Sequence, residues 1–230
     1  MAQETRRVFL LSPAHSGGRR AAMLVRPEAE FELARRVREG GASLGEVFAF
    51  LSGLYFRGKL AYARKFARGP EGAAGTLIIT SNQGLVPAET IIDAGQLRAF
   101  SEVPIDLAER RYREPLCSAA EALDAACGPG AEIVLLGSVA TEKYCGCLLP
   151  TFGERLLFPA DFVGRGDMSR GGLMLRAAAA GEELSYIPVL GALRHGTRPP
   201  KLAPKNAQSG APAPAGKTLR ASVPPRAKGS

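Results

Sequence analysis

The segment Arg7-Val8-Phe9-Leu10-Leu11-Ser12 decides how this chain is read. Four apolar residues in a row, with no alternation of polar and apolar, describe a strand buried on both faces, as in a parallel sheet covered by helices. Thr76-Leu77-Ile78-Ile79-Thr80-Ser81 and Glu132-Ile133-Val134-Leu135-Leu136-Gly137 have the same character. Arg155-Leu156-Leu157-Phe158-Pro159 and Leu184-Ser185-Tyr186-Ile187-Pro188-Val189 are weaker strand candidates. Helical patterns separate these runs. One is predicted over 28–38, opened by Pro27 and closed by Gly40-Gly41. A long apolar face over 44–67 carries Leu44, Val47, Phe48, Leu51, Tyr55, Tyr62 and Phe66, with Gly53 and Gly58 as possible breaks. Residues 95–102, 115–127, 141–151 and 169–180 complete the set. Strands alternating with helices imply a three-layer α/β/α fold with a mostly parallel sheet of about five strands.

The chain has 230 residues and a net charge of +8. That charge is unevenly placed. Residues 198–230 carry Arg198, Lys201, Lys205, Lys217, Arg220, Arg226 and Lys228 with no acid, so seven of the eight net charges lie there. The same stretch holds seven prolines among Ala, Gly, Ser and Lys, and cannot bury enough apolar surface to offset its ordering entropy. We therefore expect one α/β domain over 1–197 and a disordered basic tail over 198–230. The tail reads as an arm for nucleic acid or another polyanion, or as a solubilising appendage.

No apolar run reaches the roughly 18 residues that span a membrane, and the four-residue run near the N-terminus is far short of a secretory core. Of the four cysteines, Cys145-Gly-Cys147 is not a C-x-x-C pair, and Cys117 and Cys127 fall in a helical pattern. They read as reduced structural thiols, which with no leader points to the cytoplasm. No tetrahedral metal set, Walker A loop or dinucleotide fingerprint is present, so neither a metal nor a cofactor is expected.

Ligands of open parallel sheets bind beyond the carboxyl ends of the strands. The first such loop carries Ser12, His15, Ser16, Gly17, Gly18, Arg19 and Arg20; the second, Ser81, Asn82 and Gly84; the third, Gly137 and Ser138. The fourth is the densest, with Gly164, Arg165, Gly166, Asp167, Ser169 and Arg170 ahead of Gly171 and Gly172. Asp167 or Ser169 is placed to cap the following helix, whose N–H groups with Arg165 and Arg170 suit an anion. Gly17 and Gly18 suit a second anion cradle, and His15 a general acid or base. All four loops are expected around one cleft. On the long helix, Arg57, Lys59, Arg64 and Lys65, with Arg68, read as an exposed basic side, either simply solvated or tracking phosphates beside Tyr55 and Tyr62.

Leu54-Tyr55-Phe56-Arg57-Gly58-Lys59-Leu60-Ala61-Tyr62-Ala63, followed by Leu77-Ile78-Ile79-Thr80-Ser81-Asn82-Gln83-Gly84-Leu85-Val86-Pro87, resembles a pattern of the YaaA-like proteins and their bacterial and phage relatives. Leu135-Leu136-Gly137-Ser138 with Lys143-Tyr144, and Pro159 with Gly164-Arg165-Gly166, are similar to later parts of that pattern, which spans about residues 50–175. Asn82-Gln83 departs from it. The resemblance implies an α/β domain connected with nucleobases, nucleotides or nucleic acid, in DNA stress or base modification, with Ser81, Gly84, Gly137, Tyr144, Gly164 and Gly166 lining the site. From the reading of the loops themselves, Asp167 is the expected catalytic carboxylate for N-glycosidic chemistry, with His15 as a further acid; Ser81, Asn82 and Tyr144 would hold a base. The alternative is a non-catalytic nucleic-acid binder that uses the tail and the basic helix.

Overall fold

A computed structural model describes residues 5–192, 199, 200 and 202. The elements run β1 (Arg7–Leu11), α1 (Arg19–Val25), α2 (Glu32–Glu39), β2 (Ala42–Ser43), α3 (Leu44–Ser52), α4 (Leu54–Phe66), β3 (Thr76–Ile79), β4 (Leu85–Pro87) and β5 (Ile91–Ile92). They continue with α5 (Ala94–Ser101), α6 (Arg110–Cys127), β6 (Glu132–Leu136), α7 (Glu142–Phe152), β7 (Leu156–Pro159), α8 (Asp167–Ala180) and β8 (Tyr186–Pro188).

Among the described residues, six strands form one sheet in the order β4-β3-β1-β6-β7-β8. The inner four are parallel, and the edge strands β4 and β8 are antiparallel to their neighbours. The mostly parallel α/β sheet is therefore as predicted, with β4 added and the Leu184–Val189 run turned antiparallel. Val8, Phe9, Leu10 and Leu11 are all fully buried, which is why this strand shows no alternation. The step from β1 to β3 goes one way along the sheet, and the steps to β6 and β7 go the other. Crossovers of one hand then put the intervening helices on opposite faces. Accordingly α4 packs on β1 and β3 and against α8, while α6 packs against α7. The reversal falls between β1 and β6, so the crevice beyond their carboxyl ends is the natural ligand position of this sheet.

Local chemistry sets the helix boundaries. Gly53 at φ +65° ends α3 and begins α4, so the long apolar pattern is two helices; Gly58 does not break α4. Ser43 caps α3 by accepting from Glu46 N, and Asp93 with Gln96 forms a capping box on α5. Pro27 opens no helix: α2 starts at Glu32, and Arg19 and Arg20, expected in a loop, begin α1.

The thiols are a further correction. Cys117 on α6 and Cys147 on α7 form a disulfide, and Cys127 and Cys145 are buried. Helix packing brings together two residues 30 apart in the chain, a proximity their spacing does not announce. Among the described residues no helix is long and apolar enough to cross a membrane. The predicted tail, apart from Pro199, Pro200 and Leu202, and His195 lie outside the described residues.

Candidate functional site

Helix α4 lies closest to α8 where two glycines meet. A Cβ on Gly58 would stand 2.6 Å from Gly171 O, and a Cβ on Gly171 would stand 2.8 Å from both Leu54 O and Tyr55 Cα. This backbone-to-backbone crossing sets the start of α8, with Asp167, against Tyr55 and Lys59 of α4. From the other face, α7 brings Lys143 and Tyr144. The end of β1 contributes Ser12, whose N–H donates to Leu136 O of β6 at 3.2 Å. Gly137 completes the wall: a Cβ there would meet Ser12 Cβ at 2.9 Å.

Lys59 is the centre of this group and corrects the sequence reading most sharply. Expected on an exposed basic side, it is 1% exposed. Its Nζ donates to Ser12 O at 2.5 Å and to Ser12 Oγ at 2.9 Å, and lies 4.4 Å from the Tyr55 ring centre and 4.7 Å from that of Phe56. Burial lowers the amine to about 7, with Asp167 pulling the other way and Lys143 adding to the fall. Ser12 Oγ in turn donates to Leu136 O at 3.3 Å. The Tyr55 hydroxyl is buried without a hydrogen-bond partner among the described residues; burial pushes it up to about 12, against the pull of nearby Arg170. Tyr144, 4% exposed and beside Ser12, is also raised by burial. Both phenols therefore stay protonated through neutral pH, where the amine is partly free base.

Asp167 stands at the rim, its side chain 68% exposed and 3.9 Å from Arg170 Nη1. Neither it nor Ser169 caps α8: the N-cap is Gly166, with no side-chain bond. Arg170 donates to Phe162 O from Nε and Nη2 and lies over the Phe162 ring. Arg165 donates to Asp161 O at 2.9 Å and to Ser169 Oγ at 3.4 Å. The two arginines thus brace the loop between β7 and α8. The glycines there divide in role: Gly164 takes φ +71° in the turn and Gly171 makes the helix crossing.

The other predicted residues gather elsewhere. His15, Ser16, Gly17 and Ser81 line a pocket of about 430 Å³ with Phe48, Phe100 and Glu102; Asp167 and Tyr144 do not line it. Ser81 Oγ donates to Phe100 O and Asn82 Nδ2 to Ala99 O, so both brace α5. Gly84, at φ +66°, would place a Cβ 2.3 Å from Pro115 O and serves close packing on α6. Gly18 is the N-cap of α1, and Ser138 accepts from Ala140 N in a turn. The four loops share one sheet edge, but their side chains divide into a half between β1 and β3 and a half between β1 and β6. Arg57, Arg64 and Lys65 are exposed, with Arg64 paired to Glu89, while Tyr55 and Tyr62 are buried and offer no stacking face.

Sequence reasoning missed Tyr55 and Lys59 as a pair. The signal was present: Tyr55, Lys59, Tyr62 and Phe66 follow helical spacing along the apolar stripe, so the one lysine on that stripe faces inward. The fold defines a doubly wound α/β protein with a buried polar cluster at its switch point. Comparison with family models, curated proteins and solved structures finds no match to this chain.

Proposed function

We propose that the protein binds a nucleobase or nucleotide in the crevice between β1 and β6 and acts on its N-glycosidic bond. The observation that carries this reading is the convergence of Ser12, Lys59, Tyr55 and Tyr144 on the switch point, with the Asp167 carboxylate at the rim. Hydroxyls of Ser12, Tyr55 and Tyr144 suit the polar edges of a base. Asp167 suits the stabilisation of an oxocarbenium-like centre or the activation of water. The resemblance to the YaaA-like pattern supports the choice of nucleobase chemistry and a place in nucleic-acid modification or DNA stress.

A thermal-shift panel of bases, nucleosides and nucleotides tests the reading. A ligand at 100 times its dissociation constant adds about 2.7 kcal/mol. The shift should survive deletion of 198–230 and shrink in Tyr144→Phe, while Asp167→Ala should retain binding and lose release of free base. If no member of the panel raises the melting temperature, the proposal fails. If binding to DNA or RNA disappears with the tail and falls steeply with salt, the protein is instead a tail-driven nucleic-acid binder.

A further inference from the structure

The pairing of a buried amine with an unpartnered phenol has a use that base recognition does not require. We propose that Lys59 is a nucleophile that captures an aldehyde or ketone as an imine, with Tyr55 as the proton donor. This goes beyond nucleotide binding and does not depend on it.

The geometry carries the inference. Lys59 Nζ is held at the carboxyl edge of the sheet by Ser12 O and Ser12 Oγ, 2.5 and 2.9 Å away, and over the Tyr55 ring. No carboxylate pairs with it among the described residues; the ion pair of Asp167 is to Arg170. The Tyr55 hydroxyl is buried on the same helix, one turn away, with no hydrogen-bond partner among the described residues. The groups that set the charge here are Tyr55 on α4, Lys143 and Tyr144 on α7, and Asp167 and Arg170 on α8. Burial keeps the amine partly neutral near pH 7 and the phenol protonated, so a nucleophile and an acid coexist at one pH.

The step balances without a redox partner. The Lys59 nitrogen lone pair forms a bond to the carbonyl carbon, and the C=O π pair moves to oxygen, which takes the Tyr55 proton. The ammonium formed returns a proton to the tyrosinate. The carbinolamine hydroxyl then leaves as water with a second proton from Tyr55, the nitrogen lone pair closes the C=N bond, and loss of the N–H proton restores the phenol. Amine and carbonyl compound give imine and water. A ring-opened sugar, the product of glycosidic cleavage, belongs to this carbonyl class.

Reductive trapping tests it. The full chain is incubated with glycolaldehyde and cyanoborohydride, and labelling is mapped by peptide mass spectrometry, with exposed Lys65 as internal reference. Lys59 should be labelled at least about tenfold faster than Lys65 at pH 7, because so little of an ordinary lysine is neutral there. Its rate should level off above about pH 7 while that of Lys65 keeps rising. Tyr55→Phe should slow Lys59 and leave Lys65 unchanged. Labelling of Lys59 no faster than Lys65, or no labelling of it, overturns the proposal; an unchanged Lys59 rate in Tyr55→Phe overturns the assignment of the acid. None of these results depends on the nucleotide thermal shifts.

Discussion

Replacing Gly171 by alanine adds one methyl group where the backbones of α4 and α8 touch. The new Cβ would lie 2.8 Å from Leu54 O and from Tyr55 Cα, closer than such atoms can approach. Both are main-chain atoms within a helix, so no side chain can swing aside and the helices must separate. Overpacking of this kind costs about 1–3 kcal/mol, and the main-chain character of both contacts argues for the upper end. Alanine returns about 1 kcal/mol of helix propensity. The net loss is then about 2 kcal/mol, or a fall in melting temperature of roughly 4–8 °C for a domain of this size. The neighbouring position supplies the control. A Cβ on Gly172 meets only Leu202 Cδ1, at 3.7 Å, an ordinary contact. Gly172→Ala should therefore gain about 0.5–1 kcal/mol and melt higher. Thermal and urea unfolding of the two variants beside the parent measures the contrast. Because the clash falls on the backbone of Tyr55, one of the hydroxyls proposed to hold the base, the Gly171 variant should also lose part of any ligand-induced shift. A Gly171→Ala protein that melts at or above the parent would refute the argument that contact between α4 and α8 backbones fixes the crevice.

Further outcomes follow from the same structure. Folding lowers the Lys59 amine, so between about pH 7 and its ordinary value the unfolded chain binds more protons; stability contributed by this group therefore rises with pH through that window and is lost toward pH 7. Lys59→Met should remove that slope, read as the urea midpoint at pH 7 and pH 9. Arg7, mostly buried between Glu132 and Glu183, leaves two carboxylates together when replaced by methionine; a loss of about 2 kcal/mol is expected by urea unfolding. The Cys117–Cys147 disulfide closes a 30-residue separation, worth about 3.6 kcal/mol, so a thiol reductant should lower the melting temperature of the parent and leave a Cys117→Ser/Cys147→Ser protein unchanged.

The unbroken apolar runs at Val8–Leu11, Leu77–Ile79 and Ile133–Leu136 determined the sheet from sequence alone, because a strand covered on both faces has no polar side to display. The carboxyl-edge loops were legible for the same reason: parallel strands put the loops after them on one edge. Their partition was not. Whether Ser81 braces α5 or faces a ligand depends on where Phe100 O lies, and residues 19 apart carry no record of that contact. Charge misled where burial decides: Lys59 reads as one more basic residue of α4 until the helix stripe turns it toward Ser12. The pairing of Cys117 with Cys147 and the meeting of Gly58 with Gly171 were likewise set by helix packing. Local pattern determines which residues must leave water; only the assembled helices decide what each one meets there.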